Sequence, residues 1–388
     1  MKLGVNGWRM QGQRTGIGRY LSNVIRYWTD DAVAGRFDEI NFYTPTAVDR
    51  SDVHLPDAVT ERIVSPAWRM LLWENLRLAP TANDDVLFCP SYTRPLLARG
   101  RTVVTTHDAT IHMYPELYPF KGRAAYDRLY GWSARRATLV ITTSETVRLD
   151  VVQCYGVSPS KIRVVPLAVA DSFKPRPGHP GVDEVRERYL GSAAPFFLFV
   201  GKLTTRRNVP KLVEAFAEMK RRSAPPHKLL VIGLNTTGVD LAASAAALGV
   251  SSDVVHREYV SDDDLGLLYN AAEALIIPAT FETLSFPVME AQASGTPVIT
   301  IDTLGMRETA GGAALLLPKA EIPEMVDAME RIVADTALRR ELIERGLAHA
   351  KRFSWQRCSA DTLAVLEEAA SLPRRSRAGH GAETTQDD

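Results

Sequence analysis

The chain has 388 residues, enough for about two domains, each with a substantial core. Apolar residues make up 45% and charged residues 24%, and 46 Lys+Arg balance 46 Asp+Glu. That balance excludes a wholly polybasic nucleic-acid binder and an acidic solvating chain, so no nucleic acid is expected as a partner. Cys89, Cys154 and Cys358 lie far apart, which rules out a disulfide framework and suits a reducing compartment. The start, Met1-Lys2-Leu3-Gly4-Val5-Asn6, enters a strand pattern with no apolar leader core, and no apolar run approaches the ~20 residues of a membrane span. A cytoplasmic protein is expected.

In chain order, short apolar runs at 2–5, 39–43, 85–89, 102–106, 139–142 and 162–165 read as strands. A second series follows at 196–200, 228–232, 274–277, 297–301 and 314–317. Helix-like stretches such as 211–222 and 264–272 lie between them. Strands with little alternation are buried on both faces, so the pattern predicts helix-covered parallel sheets, an α/β doubly wound fold. The stretch 171–184, DSFKPRPGHPGVDE, carries four prolines and two glycines and reads as a linker. The boundaries expected are 1–170 for a first Rossmann-like domain and 171–352 for a second. A last helix follows at 353–372, then a polar tail at 373–388 that reads as disordered. Open sheets of this kind bind ligands beyond the carboxyl ends of their strands, and two such domains are expected to face an interdomain cleft.

Four features carry chemistry. The sharpest is Glu282-Thr283-Leu284-Ser285-Phe286-Pro287-Val288-Met289-Glu290, between a strand and Gly295. Pro287 suits the first turn of a helix, and the amides around Leu284 to Phe286 make an anion site beyond the sheet. Two carboxylates beside a phosphate site can accept from sugar hydroxyls. The plainer alternative leaves Glu290 serving the helix dipole and Glu282 solvated. The second is Gly201-Lys202-Leu203-Thr204-Thr205-Arg206-Arg207-Asn208, with Asn208 as a helix cap. Lys202 and Arg207 there can hold a diphosphate without metal, or simply face water. The third is the glycine loop Arg14-Thr15-Gly16-Ile17-Gly18-Arg19-Tyr20, which lacks the third glycine of a dinucleotide fingerprint. The fourth is His107-Asp108 at a strand's end, with Asp108 placed to orient the imidazole or to help hold a substrate hydroxyl. A lone histidine is otherwise a structural hydrogen bonder. No metal site is expected: His112 lacks a helical partner motif, and Asp262-Asp263-Asp264 reads as a helix start capped by Ser261, with Asp264 reaching back.

Together, in this order, these features resemble the family 4 retaining glycosyltransferases of the GT-B fold. The resemblance runs from Val5 to about Leu372 and includes Ala293-Ser294-Gly295-Thr296-Pro297-Val298 and Phe353-Ser354-Trp355. It implies a GT-B architecture and a nucleotide-diphosphate sugar, a UDP- or GDP-sugar, as donor, with no cofactor or metal. His107, Lys202, Arg207 and Glu282 would be catalytic. The donor would be bound by Gly16, Gly18, Lys202, Arg207, Glu282, Thr283, Leu284, Ser285 and Glu290. The acceptor would be a saccharide, a lipid-linked saccharide or a small molecule. Thr283 and Ser285 depart from the family's frequent glycines, and Arg207 from its usual lysine. Two classes compete: a sugar-nucleotide isomerase of the same architecture, and a non-catalytic nucleotide-sugar-binding partner. Two Trp- and Arg-bearing stretches, 67–78 and 120–136, are candidates for peripheral contact with an anionic membrane; the first also reads as a core helix.

Overall fold

The computed structural model describes residues 1–12, 16–50, 53–118 and 120–373. Arg14, Thr15 and most of the tail expected to be disordered lie outside the described residues.

The chain forms two compact units. Unit 1 comprises Met1–Thr142, Asp150–Val165 and the chain from Ser359 onward, and unit 2 comprises Thr143–Leu149 and Pro166–Cys358. Unit 1 holds a parallel sheet of seven strands: β1 (Lys2–Asn6), β2 (Glu39–Thr44), β3 (Val59–Ile63), β4 (Val86–Cys89), β5 (Arg101–Thr106), β6 (Leu139–Thr142) and β7 (Ile162–Val164). Their spatial order is β3-β2-β1-β4-β5-β6-β7. Unit 2 holds six: β8 (Phe196–Val200), β9 (Lys228–Ile232), β10 (Val254–Arg257), β11 (Ala274–Ile277), β12 (Val298–Ile301) and β13 (Leu315–Leu317), ordered β10-β9-β8-β11-β12-β13. Every pairing in both sheets is parallel. Each order grows outward in one direction, then restarts beside its first strand. The loops after β1 and β4, and after β8 and β11, therefore flank a topological switch point, where doubly wound sheets open a crevice for ligands.

The eleven expected strands are present, with ends moved by a residue or so. The two that were missed, β3 and β10, are each the outermost strand on one side of a sheet. The chain around 171–184 is irregular only in part, because Gly181–Leu190 is a helix with Asp183 and Glu184 in its first turn. The acids favour that helix start, and Gly191 at φ 64° ends it.

The core of unit 2 is built on β8, whose sequence FFLFV is buried throughout because helices cover both faces. Each such side chain contributes about 1.5–3 kcal/mol by leaving water. In unit 1, Trp28, Phe42, Trp73 and Phe88 fill the equivalent space. The last helix, Trp355–Ser371, belongs to unit 1 from Ser359 on. There Ser359 donates to the Val24 carbonyl at 2.8 Å, Arg163 Nε to Glu368 at 2.9 Å, and Arg101 to the Leu372 carbonyl at 2.6 Å. Leu363, Leu366 and Ala369 are buried on its inner face.

Candidate functional site

In unit 2, two loops meet at the switch point. The first, residues 201–208, leaves β8 at Gly201, whose φ is 136°. A Cβ there would lie 2.1 Å from the Arg207 guanidinium, so only glycine lets that side chain fold back over the strand end. Arg207 donates from Nη1 to the Lys202 carbonyl at 3.1 Å and from Nε to Glu282 Oε1 at 2.9 Å. Arg206 reaches the same Glu282 oxygen at 2.8 Å and donates to the Phe281 carbonyl. Backbone bonds complete the junction, with Thr280 N donating to the Arg206 carbonyl at 3.0 Å.

Asn208 stands at the start of the helix Val209–Ser223, but its side chain does not cap it. The residue is left-handed, at φ 50°, and its amide donates across to the Pro278 carbonyl at 3.0 Å. The expected cap is therefore a tie between the two loops. It serves the site, because it fixes the end of β8 against the end of β11.

Glu282 is only 8% exposed, and its two arginines compensate for the cost of burying its charge. Lys202 is exposed, and among the described residues no carboxylate lies within ion-pair distance of its ammonium. Three cations against one carboxylate leave this corner positive. Beside it begins the helix Phe286–Ser294, with Pro287 in its first turn. Ser285 is buried at the cap position without a side-chain cap bond, so the helix's first amides keep their donor capacity. Gly305, in the helix Leu304–Ala310, supports the Glu282 loop from behind; a Cβ there would lie 1.9 Å from the Glu282 carbonyl oxygen.

Lys202, Arg207, Glu282, Thr283, Leu284 and Ser285 thus lie on two joined loops. Glu290, in the second turn of the helix, has a separate partner: the buried Tyr269 hydroxyl donates to Oε2 at 2.9 Å. Burial, with the Glu290 charge beside it, holds the Tyr269 phenol well above its ordinary pKa. The sequence reading did not assign Arg206, Tyr269 or Gly305. Arg206 was visible as one of two adjacent arginines, but nothing local says that both turn toward Glu282. Tyr269 lies 21 positions before Glu290 and leaves no local signal.

In unit 1, His107 follows β5. Its Nε2 faces the Pro90 carbonyl at 2.9 Å, a contact in which the ring N–H donates. The rings of Tyr20 and Tyr92 meet it edge-on at 5.0 and 5.5 Å. Burial lowers its pKa and favours the neutral imidazole. The Asp108 carboxylate beside it is held by two further partners. Its Oδ2 accepts from the Tyr92 hydroxyl at 2.7 Å and its Oδ1 from Thr110 N at 2.8 Å. Gly16, exposed, opens the helix Gly16–Arg26, and Gly18 is buried in its first turn. A group that the sequence did not single out lies at the end of β1. Glu74 is buried and accepts from Asn6 Nδ2 at 2.8 Å and Thr93 Oγ1 at 3.0 Å; burial raises its pKa to about 7.

Among the described residues, no group of three or more His, Cys, Asp or Glu side chains stands where it could hold a metal ion. His112 pairs with Asp127 at 3.0 Å. Ser261 accepts from Asp264 N at 3.2 Å, as a cap should. The Asp264 carboxylate does not reach back, however; Arg188 and the Tyr189 hydroxyl take it at 2.9 and 2.7 Å.

Two family models match the chain: Glycosyltransferase Family 4 over residues 15–173 and Glycosyl transferases group 1 over residues 184–349. The chain is 25% identical to the O-antigen chain mannosyltransferase B of Escherichia coli over 367 residues, 90% of this chain and 95% of the relative. It is 32% identical to the D-inositol 3-phosphate glycosyltransferase of Nocardia farcinica over 253 residues, 63% of this chain and 55% of the relative. Among solved structures, Anabaena HepE in complex with UDP-glucose superposes with a TM-score of 0.70 at 19% identity, covering 96% of this chain and all of that one. These relatives do not favour the isomerase alternative. With two doubly wound parallel sheets and a cationic switch-point site, the chain belongs to the family 4 glycosyltransferases of the GT-B fold.

Proposed function

We propose that this glycosyltransferase is a retaining, metal-independent hexosyltransferase. It takes its sugar from a nucleoside-diphosphate donor, a UDP- or GDP-sugar, and delivers it to a hydroxyl of a saccharide, a lipid-linked saccharide or a small molecule. The observation that carries this reading is the cluster of Lys202, Arg206 and Arg207 around Glu282, beside an uncapped helix start. As the glycosidic bond breaks, negative charge grows on the diphosphate. Fixed cations and amides aimed at it stabilise the transition state more than the ground state. Glu290 holds the ribose hydroxyls, and Glu282 binds the sugar near the reacting carbon. In unit 1, His107 is a catalytic group, Gly16 and Gly18 are donor-binding residues, and the acceptor is held mainly by this unit. The acceptor hydroxyl attacks the face that the leaving group departs from, and a phosphate oxygen of the leaving group takes its proton. The glycosyl bond to phosphate breaks as the new one forms, so the anomeric configuration is kept. The named relatives support transfer to a glycan or a small polyol phosphate.

A thermal-shift panel of nucleotide sugars, followed by NMR of the product's anomeric proton in EDTA, tests the reading. Selective stabilisation by one donor and a retained anomer are expected. An inverted product, or loss of transfer on chelation, would refute it.

A peripheral membrane contact is also proposed, at 67–78. The core-helix expectation holds for one face only: Trp73, Glu74 and Leu78 are buried, whereas Trp68, Leu72 and Leu76 are 40%, 54% and 52% exposed. Vesicle co-sedimentation, with and without anionic lipid, checks it; Leu72→Asp should abolish binding.

A further inference from the structure

The outer flank of the helix Gly16–Arg26 carries a group of side chains that the transferase reading does not use. The helix buries Tyr20, Leu21, Val24 and Ile25 in the core of unit 1. Its period of 3.6 therefore turns Ser22, Asn23 and Arg26 away from that core, with Arg26 four and three positions from the other two. Such a strip alone would only face water. Here a second wall stands across from it, formed by Arg50, Val53 and His54 in the chain after β2. That wall is pinned: Val48, Val53 and Leu55 are buried, and Val48 N donates to Glu61 at 2.7 Å. Between the walls lies a cavity of about 700 Å³, inside the range of about 300–1,000 Å³ that small-molecule sites span.

Its lining is unlike that of an apolar pocket. Apart from Val53 and the Tyr27 ring the lining is polar, and none of the described residues that line it is acidic. Among the described residues, Arg26 has no carboxylate within ion-pair distance, and its guanidinium lies 5.9 Å from the centre of the Tyr27 ring. Arg50 reaches Glu61 Oε2 at 3.2 Å through one nitrogen, so most of its donors remain unused. The Glu61 charge is divided further, because its other oxygen also accepts from Val48 N and the Thr44 hydroxyl. The His54 ring and the Tyr27 hydroxyl have no hydrogen-bond partner among the described residues. Ser22 Oγ and Asn23 Nδ2 donate to the Arg19 carbonyl at 3.1 and 2.8 Å, which leaves their oxygens as acceptors. In a chain of zero formal charge, this gathers two guanidiniums and an imidazole around one hollow.

We propose that this cavity binds a phosphomonoester with a hydroxylated body, of the sugar phosphate or glycerophosphate class. A guanidinium on each wall takes the phosphate by paired N–H donors, with His54 beside them. Ser22 and Asn23 accept from the hydroxyls. The phosphate belongs either to a free ester or to a lipid headgroup, since the recognising chemistry is the same. This site is separate from the candidate donor site, whose Lys202, Arg207 and Glu282 belong to unit 2. It is also separate from the glycine turn, because Arg26 lies roughly 15 Å along the helix from Gly16. The inference does not depend on the proposed transferase reading.

Isothermal titration calorimetry on the full chain tests it, with inorganic phosphate, glycerol 3-phosphate and glucose 6-phosphate as probes. Binding of at least one ester is expected, weakened about tenfold or more in Arg26→Gln and in Arg50→Gln. It should be unchanged in Lys202→Gln, which removes a cation from unit 2. Both arginines are exposed, so the variants should melt with the parent when no ligand is present, which reports that they fold. Vesicles of phosphatidylcholine with phosphatidic acid distinguish the two sources. Co-sedimentation that falls in Arg26→Gln assigns the phosphate to a lipid headgroup; ester binding with co-sedimentation unaffected by Arg26→Gln assigns it to a free ester. The site is overturned if no ester binds and Arg26→Gln leaves co-sedimentation unchanged. It is overturned equally if the esters bind both arginine variants as tightly as the parent.

Discussion

At the scale of single residues, a buried carboxylate and its two guanidiniums form the centre of the proposed donor site. Arg207 contacts Glu282 in the absence of substrate, so removing it leaves Glu282 with Arg206 and should not unfold the chain. For Arg207→Ala we expect kcat/KM to fall on the order of 10²–10³-fold, the effect of losing one donor aimed at developing charge, with free nucleoside bound as before. Steady-state kinetics beside calorimetry separate the two effects, and equal turnover in variant and parent would remove Arg207 from the chemistry. Glu74 poses a different test. Its folded pKa is raised from 4.5 to about 7, so the folded state holds a proton that the unfolded state releases. The stability this gives is present below pH 4.5 and is lost as pH rises through about 7. Glu74→Gln keeps acceptors for Asn6 and Thr93 without the charge. Relative to the parent it should gain up to about 3 kcal/mol between those limits, measured by denaturant titration across the pH range. A constant difference would show that Glu74 does not titrate there.

Elements decide where these residues can stand. The tight approach of the helix Leu304–Ala310 to the Glu282 carbonyl needs Gly305. Gly305→Ala should cost about 1–3 kcal/mol by overpacking. Through the displaced loop it should lower turnover on the order of a hundredfold. A variant as active as the parent would mean that the loop tolerates the shift. The central strands were legible because burial on both faces writes an unbroken apolar run, as in Phe196-Phe197-Leu198-Phe199-Val200. The edge strands β3, VTERI, and β10, VVHR, were not, because a half-covered strand carries polar residues that read as loop. The same limit applied to the site. Motif residues on the strand ends could be found from order and spacing, but Tyr269 under Glu290 and the Asn208 bond to Pro278 depend on approach in space. The strained turn at Tyr92 was equally hidden, since nothing in Ser91-Tyr92-Thr93 signals a positive φ.

For the molecule as a whole, the helix Trp355–Ser371 matters more than its position at the end of the chain suggests. Leu366 is fully buried on it, and Leu366→Ala should destabilise by about 2–5 kcal/mol, read as a lowered melting temperature. Donor-induced stabilisation of unit 2 should persist in that variant, since the helix completes unit 1. Matching melts for variant and parent would mean that the helix packs loosely. Because unit 1 is closed by residues after Ser359, its sheet emerges from the ribosome well before the segment that covers it. At ordinary elongation rates the intervening stretch takes roughly ten to forty seconds to synthesise. For that interval the nascent first half exposes a greasy seam, and unit 1 closes only once the helix Trp355–Ser371 has been made.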